Sequence, residues 1–185
     1  MADIGFVLDA SAGTGEKAFK TSIEFMLAVA SGIGVGFDAA KIGLIVIGTE
    51  TKLLFQLNKF SDIASLKTGA DKITYPGAGA RCTAGKALRL AKDALFPKSK
   101  RKEASKILVL LISGESTDDV TSPAAELKAA GVTSLVIGMG QSVSQPQVDS
   151  ISSSSDYQLT NVEYATLLTI TPVVVDKIKN GEVHK

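Results

Sequence analysis

Hydroxyl, thiol and carboxyl side chains are concentrated in three loops of the sequence. The first loop contains Asp9 and Ser11, the second contains Cys82 and Thr83, and the third begins at Ser113. A carboxylate and a hydroxyl two residues apart, with further hydroxyls close by, form an oxygen-rich pocket suited to a hard cation such as Mg²⁺. Divalent-metal binding is therefore the first chemistry that these residues indicate.

A glycine pattern in the first loop raises a second possibility. Residues 13–18 have the order Gly-x-Gly-x-x-Ala, which is a weak match to a nucleotide-binding loop. In dinucleotide-binding loops the first glycine directly follows the strand, but residues 9–12 intervene here, and the order Gly-Glu-Lys at 15–17 breaks the P-loop pattern. A nucleotide-dependent enzyme or switch stays the lesser alternative, and a flexible loop before a helix is the plainer interpretation.

Catalysis has little support in these loops. The single histidine, His184, lies at the end of the chain, and no paired carboxylates are present for acid–base work. Cys82 is the single cysteine, which excludes an intrachain disulfide and a cysteine-rich zinc site, and we expect its side chain to be buried. Calcium binding by Asp118 and Asp119 is possible, but we interpret them as favouring the N-terminus of the next helix. We predict that the protein is not an enzyme.

Four apolar runs of strand length separate these loops, at residues 4–8, 42–47, 107–112 and 132–137. Each run is apolar on both faces, which is typical of parallel strands covered by helices on both sides. Between the runs, apolar residues recur at helical spacing, as in Phe19, Ile23 and Met26. The loops are thus expected at the ends of buried strands.

Two further strands are predicted, at residues 52–57 and 157–160. The first follows its predecessor after too short a connection for a helix, so it should pair antiparallel at an edge. The predicted order is β-α-β-β-α-α-β-α-β-α-β-α. This order predicts an α/β, doubly wound, Rossmann-like fold: a six-stranded, mostly parallel sheet with one antiparallel edge strand and helices on both faces. Ligands of such folds bind at the carboxyl ends of the strands, where the three loops meet.

Local signals predict the boundaries of the last helices. Ser122 is predicted as the N-cap of one helix, and Gly131 lies just past its end. Thr160 with Glu163 predicts a capping box for the final helix, which Pro172 should kink.

The composition limits the class of protein. At 185 residues the chain 1–185 is expected to be a single domain, cut from a longer chain of several modules. Its formal net charge of +1 gives no overall field to hold a nucleic acid, and no apolar run is long enough to insert in a membrane. Because the chain opens directly into a strand-like segment, we expect no signal peptide within it.

A basic segment contains Lys98, Lys100, Arg101 and Lys102, and Glu103 is the one acidic residue beside these cations. A heparin-like polyanion is a possible partner of these side chains, although a solvated loop is the plainer interpretation.

Several motifs, in this order, resemble the von Willebrand factor A (vWA) domain family over nearly the whole chain. They are Asp-Ile-Gly-Phe-Val-Leu-Asp-Ala-Ser at 3–11, Phe-Gln-Leu-Asn at 55–58, Tyr-Pro-Gly at 75–77, Gly-Lys-Ala-Leu at 85–88, and the stretch from Gly-Glu-Ser-Thr-Asp-Asp-Val at 114–120 to Val-Ile-Gly-Met-Gly at 136–140. The details look most like the vWA modules of the large collagen VI chains. The resemblance implies a secreted, extracellular matrix module for adhesion and assembly, whose partners are other matrix proteins or neighbouring modules. An intracellular vWA scaffold stays an alternative.

The resemblance also implies where a metal would bind. The family's metal-ion-dependent adhesion site (MIDAS) consists of Asp-x-Ser-x-Ser, a threonine in the second loop, and Thr-Asp-Gly in the third. Asp9 and Ser11 match the first motif, but Gly13 stands where its second serine belongs. One hydroxyl ligand is therefore missing from the first loop.

The other two loops depart further from the family pattern. The threonine position falls on Cys82 or on Ala80, depending on the side from which it is counted, and Ser113 replaces the aspartate. We therefore expect a degenerate MIDAS, no metal cofactor and metal-independent binding. The alternative within the family is that Thr83 rebuilds a Mg²⁺ or Mn²⁺ site that captures an acidic ligand.

Overall fold

A single sheet organises the residues described by the computed structural model, which are 1–76 and 81–183. Its strands are β1 (Ala2–Asp9), β2 (Ala40–Ile47), β3 (Lys52–Phe55), β4 (Ser105–Ile112), β5 (Val132–Met139) and β6 (Gln158–Val162). The spatial order is β3-β2-β1-β4-β5-β6, and β3 pairs antiparallel with β2 while all other neighbours are parallel. The predicted mixed sheet with one antiparallel edge is confirmed.

Helices cover both faces of this sheet. They are α1 (Glu16–Ile33), α2 (Ile63–Ala70), α3 (Ala84–Leu90), α4 (Thr121–Ala129), α5 (Gln145–Ile151) and α6 (Thr171–Val183). A π-helical turn at Ala91–Leu95 extends α3, and 3₁₀ turns occupy Phe96–Lys98, Ser155–Tyr157 and Tyr164–Ile170. The order of strands and helices agrees with the predicted order, and the fold is a doubly wound α/β structure.

The core has two halves, one on each face of the sheet. Every residue of β1 is buried; Phe6 and Leu8 point to one face and Val7 to the other. Phe25 of α1 packs in the first half, and Leu88 of α3 packs in the second. Burial on both faces explains why the strands are continuously apolar instead of alternating.

The start of α4 differs from the prediction. The helix begins at Thr121, so Ser122 is not its N-cap. The carboxylate of Asp119 accepts the backbone N–H groups of Thr121 at 3.0 Å and Ser122 at 3.4 Å, so it satisfies donors that a serine cap would have taken. Gly131 adopts a φ of 74° just past the end of the helix, as its position predicted.

The predicted capping box and kink near the C-terminus are wrong. Thr160 lies in β6 and is exposed, and the chain passes through a 3₁₀ turn before α6 begins at Thr171. Pro172 therefore lies in the first turn of α6, where no intrahelical partner exists for a backbone N–H and the missing donor costs nothing. The proline begins the helix and does not bend it.

Candidate functional site

Asp9 is the centre of the crevice formed by the first and third loops. It ends β1, and Ser113 directly follows the neighbouring strand β4. The carboxylate is 1% exposed. One oxygen accepts the backbone N–H of Ser11 at 2.8 Å, and the other accepts the N–H of Ser113 at 2.9 Å and its hydroxyl at 2.8 Å. Both carboxylate oxygens are therefore engaged within the protein.

Cys82 of the second loop lies beside this carboxylate. Its side chain is buried, as expected from the sequence. Burial raises the pKa of the Cys82 thiol to about 12, and the negative charge of Asp9 adds to the effect. The thiol is thus protonated at neutral pH, and its sulfur is a soft atom that a hard cation such as Mg²⁺ does not prefer as a ligand.

Thr83 contacts a hydroxyl outside the first and third loops. Its hydroxyl lies 2.6 Å from the hydroxyl of Thr51, which directly precedes β3. Ala80, the other candidate for the threonine position, lies outside the described residues.

Gly13 leaves open space at the mouth of the crevice. It is exposed, and a Cβ atom built on it would have no atom within 4 Å. Ser11 is buried, and its carbonyl accepts the Tyr75 hydroxyl at 3.4 Å. The first loop has room for the serine of the family motif but does not carry it.

Two hydroxyl residues of the crevice were missed by the sequence analysis. Thr14 is buried, and its hydroxyl lies 2.8 Å from that of Ser113. Tyr164, which follows β6, lies near Thr14, Ser113 and Asp9. Burial raises the pKa of the Tyr164 hydroxyl, a hydrogen bond with Thr14 lowers it, and the negative charge of Asp9 raises it. A count of hydroxyls in the first loop would have found Thr14, whereas no sequence signal brings Tyr164 to the crevice.

The acidic end of the third loop caps a helix. Asp118 accepts the backbone N–H groups of Gly85 at 2.9 Å and Lys86 at 2.7 Å, and the hydroxyl of Ser116 at 2.6 Å. Asp119 favours the start of the next helix, α4, as predicted, but Asp118 stabilises the start of α3 instead. Both side chains hold loops in place around the crevice.

The basic segment lies at the opposite end of the sheet. Lys98, Lys100 and Lys102 are exposed. Arg101 differs from the lysines with which we grouped it: its guanidinium forms an ion pair with Asp3, which is 1% exposed, and donates to the carbonyl of Ala39 at 2.8 Å. Arg101 therefore serves the fold, and three lysines are left for an external anion.

Two searches of the described chain gave negative results. Residues 1–76 and 81–183 contain no group of three or more His, Cys, Asp and Glu side chains placed to hold a metal ion. None of their helices has the length and apolarity needed to cross a membrane.

Known proteins share this fold and sequence pattern. The model of one family, described as the von Willebrand factor type A domain, matches residues 3–171. Vitrin of Mus musculus is 26% identical over 178 residues, which cover 96% of this chain and 27% of vitrin. The collagen alpha-6(VI) chain of Mus musculus is 32% identical over 146 residues, which cover 78% of this chain and 6% of that one.

A solved structure shows the likeness in three dimensions. Proximal thread matrix protein 1 from the mussel byssus, determined with zinc in its MIDAS motif, superposes with a TM-score of 0.86 at 26% identity. The match covers 96% of this chain and 45% of that protein. In all three relatives the matched region is less than half of the longer chain.

Proposed function

Because the chain belongs to the von Willebrand factor type A domain family, we propose that it is a secreted, non-catalytic adhesion and assembly module of the extracellular matrix. Its proposed partners are other matrix proteins or neighbouring modules of a longer chain. The relatives that support this role include a collagen chain and a thread matrix protein. The chain spans about a quarter of vitrin and a smaller share of the collagen chain, which supports a modular parent.

The engagement of Asp9 is the observation that carries the second part of the proposal, that binding does not require a metal ion. Mg²⁺ requires near-octahedral oxygen ligands at about 2.1 Å. Ser11 and Ser113 already take three of the roughly four acceptor sites of this carboxylate, so an ion that needs more than one of them has to displace a hydrogen bond. A displaced N–H or hydroxyl of Ser11 or Ser113 would be left without an acceptor, which costs free energy. In the family motif a second carboxylate adds negative charge that would offset this cost.

The remaining MIDAS positions do not fit a divalent ion either. Ser113 supplies a hydroxyl where the family has a carboxylate, and Gly13 supplies no side chain. Cys82 presents a soft sulfur atom, which Mg²⁺ does not prefer. Asp9 alone among these positions supplies a carboxylate, so the site offers a divalent ion too little negative charge, and no binding step is assigned to a metal.

Two contacts weigh against the alternatives. The 2.6 Å contact with Thr51 occupies the Thr83 hydroxyl, which would have to leave that contact or share it with an ion to rebuild the metal site. A phosphate at the N-terminus of α1 would meet the carboxylate of Glu16 in the first turn, which is paired with Lys20 at 2.8 Å. Like charge at that terminus disfavours nucleotide binding.

The proposal is tested by binding of the 185-residue chain to an array of purified collagens and other matrix proteins, in Mg²⁺ and in EDTA. We expect binding to at least one matrix protein with a Kd that is the same in both buffers. The Asp9→Asn variant, checked for folding by circular dichroism, should bind within about twofold of the unmodified chain, since twofold is only about 0.4 kcal/mol.

Two outcomes would contradict the proposal. Binding to no matrix protein would reject the adhesion role. Binding that is lost in EDTA would reject metal independence whether or not Asp9→Asn folds, and it would favour the rebuilt metal site.

A further inference from the structure

A groove with an apolar floor and a basic rim lies at the end of the sheet opposite to Asp9. It has a volume of about 570 Å³ and is bounded by the loop before β2, the turn after β3 and the segment before β4. Phe37 supplies its exposed apolar surface, the buried Leu57 lies at its floor, and Lys41, Lys98, Lys100 and Lys102 supply its positive charge. We call these six residues and the space between them the Phe37 groove.

Phe37 is unusual because a large aromatic side chain is held almost fully in water. It is 81% exposed, more than any other large hydrophobic side chain of the described residues. Its backbone is fixed: Arg101 donates to the carbonyls of Phe37 at 3.2 Å and Ala39 at 2.8 Å, and Arg101 is itself anchored by the buried Asp3. A backbone that is already fixed at Phe37 lowers the entropic cost of ordering this loop when a partner binds.

The rim of the groove is basic but not uniformly so. Lys98, Lys100 and Lys102 form no salt bridge with the described residues, so their charges are available to a partner. Asp38 and Glu103 also line the groove. Four lysines against these two carboxylates leave a net charge of +2.

We propose that the Phe37 groove binds an acidic segment of a partner protein that inserts one large apolar side chain between Phe37 and Leu57. The carboxylates of such a segment complement the lysines, and the apolar side chain removes Phe37 from water. This inference rests on the proposed function, since it assigns a surface and a partner chemistry to the adhesion role.

A sulfated polysaccharide fits the groove less well than such a peptide. Its closely spaced sulfates would approach Asp38 and Glu103, and they would gain nothing from Phe37. The inward position of Arg101 also removes the guanidinium that would bind a sulfate most strongly.

Fluorescence anisotropy with synthetic peptides tests the proposal. The probe is a fluorescein-labelled peptide of about ten residues, Asp and Glu around one central leucine, and its matched control has serine in place of the leucine. We expect the leucine peptide to bind the unmodified chain and the serine peptide to bind it about tenfold more weakly, a difference of about 1.4 kcal/mol. We expect a similar tenfold loss when the leucine peptide is offered to Phe37→Ser or to the combined Lys98→Gln, Lys100→Gln and Lys102→Gln variant. The combined variant Lys17→Gln, Lys67→Gln and Lys86→Gln removes three exposed charges elsewhere and should bind normally.

Three outcomes would overturn the inference: no binding of the leucine peptide, equal binding by the Phe37→Ser variant, or heparin binding that depends on the lysines and is unaffected by Phe37→Ser. The substituted side chains are exposed, and unchanged thermal unfolding confirms that the variants fold. If the leucine peptide does not bind but the chain binds a matrix protein equally well in Mg²⁺ and in EDTA, the proposed groove is rejected and the proposed function stands.

Discussion

Cys82 is one of the two candidates, with Ala80, for the family's threonine position, and its surroundings favour a buried, un-ionised thiol. The thiol is buried next to the Asp9 carboxylate, so an ionised thiol would lose water and meet a like charge. Both effects raise its pKa, to about 12. The residue therefore fills space in the crevice and is not a reactive thiol.

We predict that Cys82 reacts slowly with a disulfide reagent such as DTNB in the folded protein. At pH 8, a thiol with a pKa of about 12 is about one part in ten thousand thiolate, against roughly one part in ten for the ordinary value of 9.0. Reaction of the native chain should therefore be at least about 100-fold slower than reaction in urea, measured by absorbance.

A variant with Cys82→Ser and Ala165→Cys provides the control, because residue 165 is exposed and its thiol should react quickly. Native Cys82 reacting as fast as that exposed thiol would show that the residue is accessible and ionised, contrary to the account.

The sequence predicts single residues well where the signal is local. The sequence places Asp9 in a loop at the end of a buried strand, and the structure has it as the last residue of β1. The partner of Thr83 could not be predicted, because Thr51 is 32 positions away and only the antiparallel edge strand brings the two together. Tyr164 reaches the crevice for a similar reason, through the path of the chain after β6.

At the scale of elements, Gly85 shows how closely α3 is fitted to the third loop. A Cβ at this position would lie 2.0 Å from the carbonyl oxygen of Asp119, which is backbone and cannot rotate away. The same contact places the backbone N–H of Gly85 against Asp118 at 2.9 Å. Glycine is required here for close approach and not for an unusual φ.

Gly85→Ala is therefore expected to destabilise the fold by roughly 2–3 kcal/mol, because α3 must move away from the loop. Urea unfolding measures the loss, with the unchanged slope showing that the same surface is exposed. Gly13→Ala is the matched control, since its Cβ meets no atom within 4 Å and should change stability by less than about 0.5 kcal/mol. Equal midpoints for the two variants would disprove the steric argument.

Arg101 joins the segment before β4 to the start of β1 and to the loop before β2. Its side chain is 18% exposed and its partner Asp3 is 1% exposed. Arg101→Ala should cost roughly 3–5 kcal/mol, because it leaves a buried carboxylate without its partner.

Lys100→Ala in the same segment is the control, and we expect a change below about 0.5 kcal/mol because that side chain is exposed. Thermal or urea unfolding distinguishes the two variants. A loss for Arg101→Ala no greater than for Lys100→Ala would mean that the ion pair does not support the fold.

The errors at element scale are confined to helix starts. Ser122 and Thr160 were assigned capping roles from residue type and local spacing, but Asp119 supplies the acceptor in one case and the strand continues in the other. Propensity gives the residue types that favour a boundary, and the choice between neighbouring candidates depends on packing.

At the scale of the whole molecule, the fold follows from the order of apolar runs. Continuous apolar strands separated by amphipathic segments leave few arrangements, and the short connection at residues 48–51 determines the antiparallel edge. The Phe37 groove was not predicted, because its walls come from three segments that are distant in sequence. One end of the sheet thus carries the crevice at Asp9, and the other carries the proposed contact surface.

The central claim is that the site at Asp9 does not hold a divalent ion, and calorimetric titration with Mg²⁺ tests it most directly. We expect no saturable binding by the unmodified chain, and measurable binding by a variant with Gly13→Ser, Cys82→Thr and Ser113→Asp, which restores the missing ligands in a loop with open space at residue 13. Micromolar-range binding by the unmodified chain that is lost in Asp9→Asn would contradict the account.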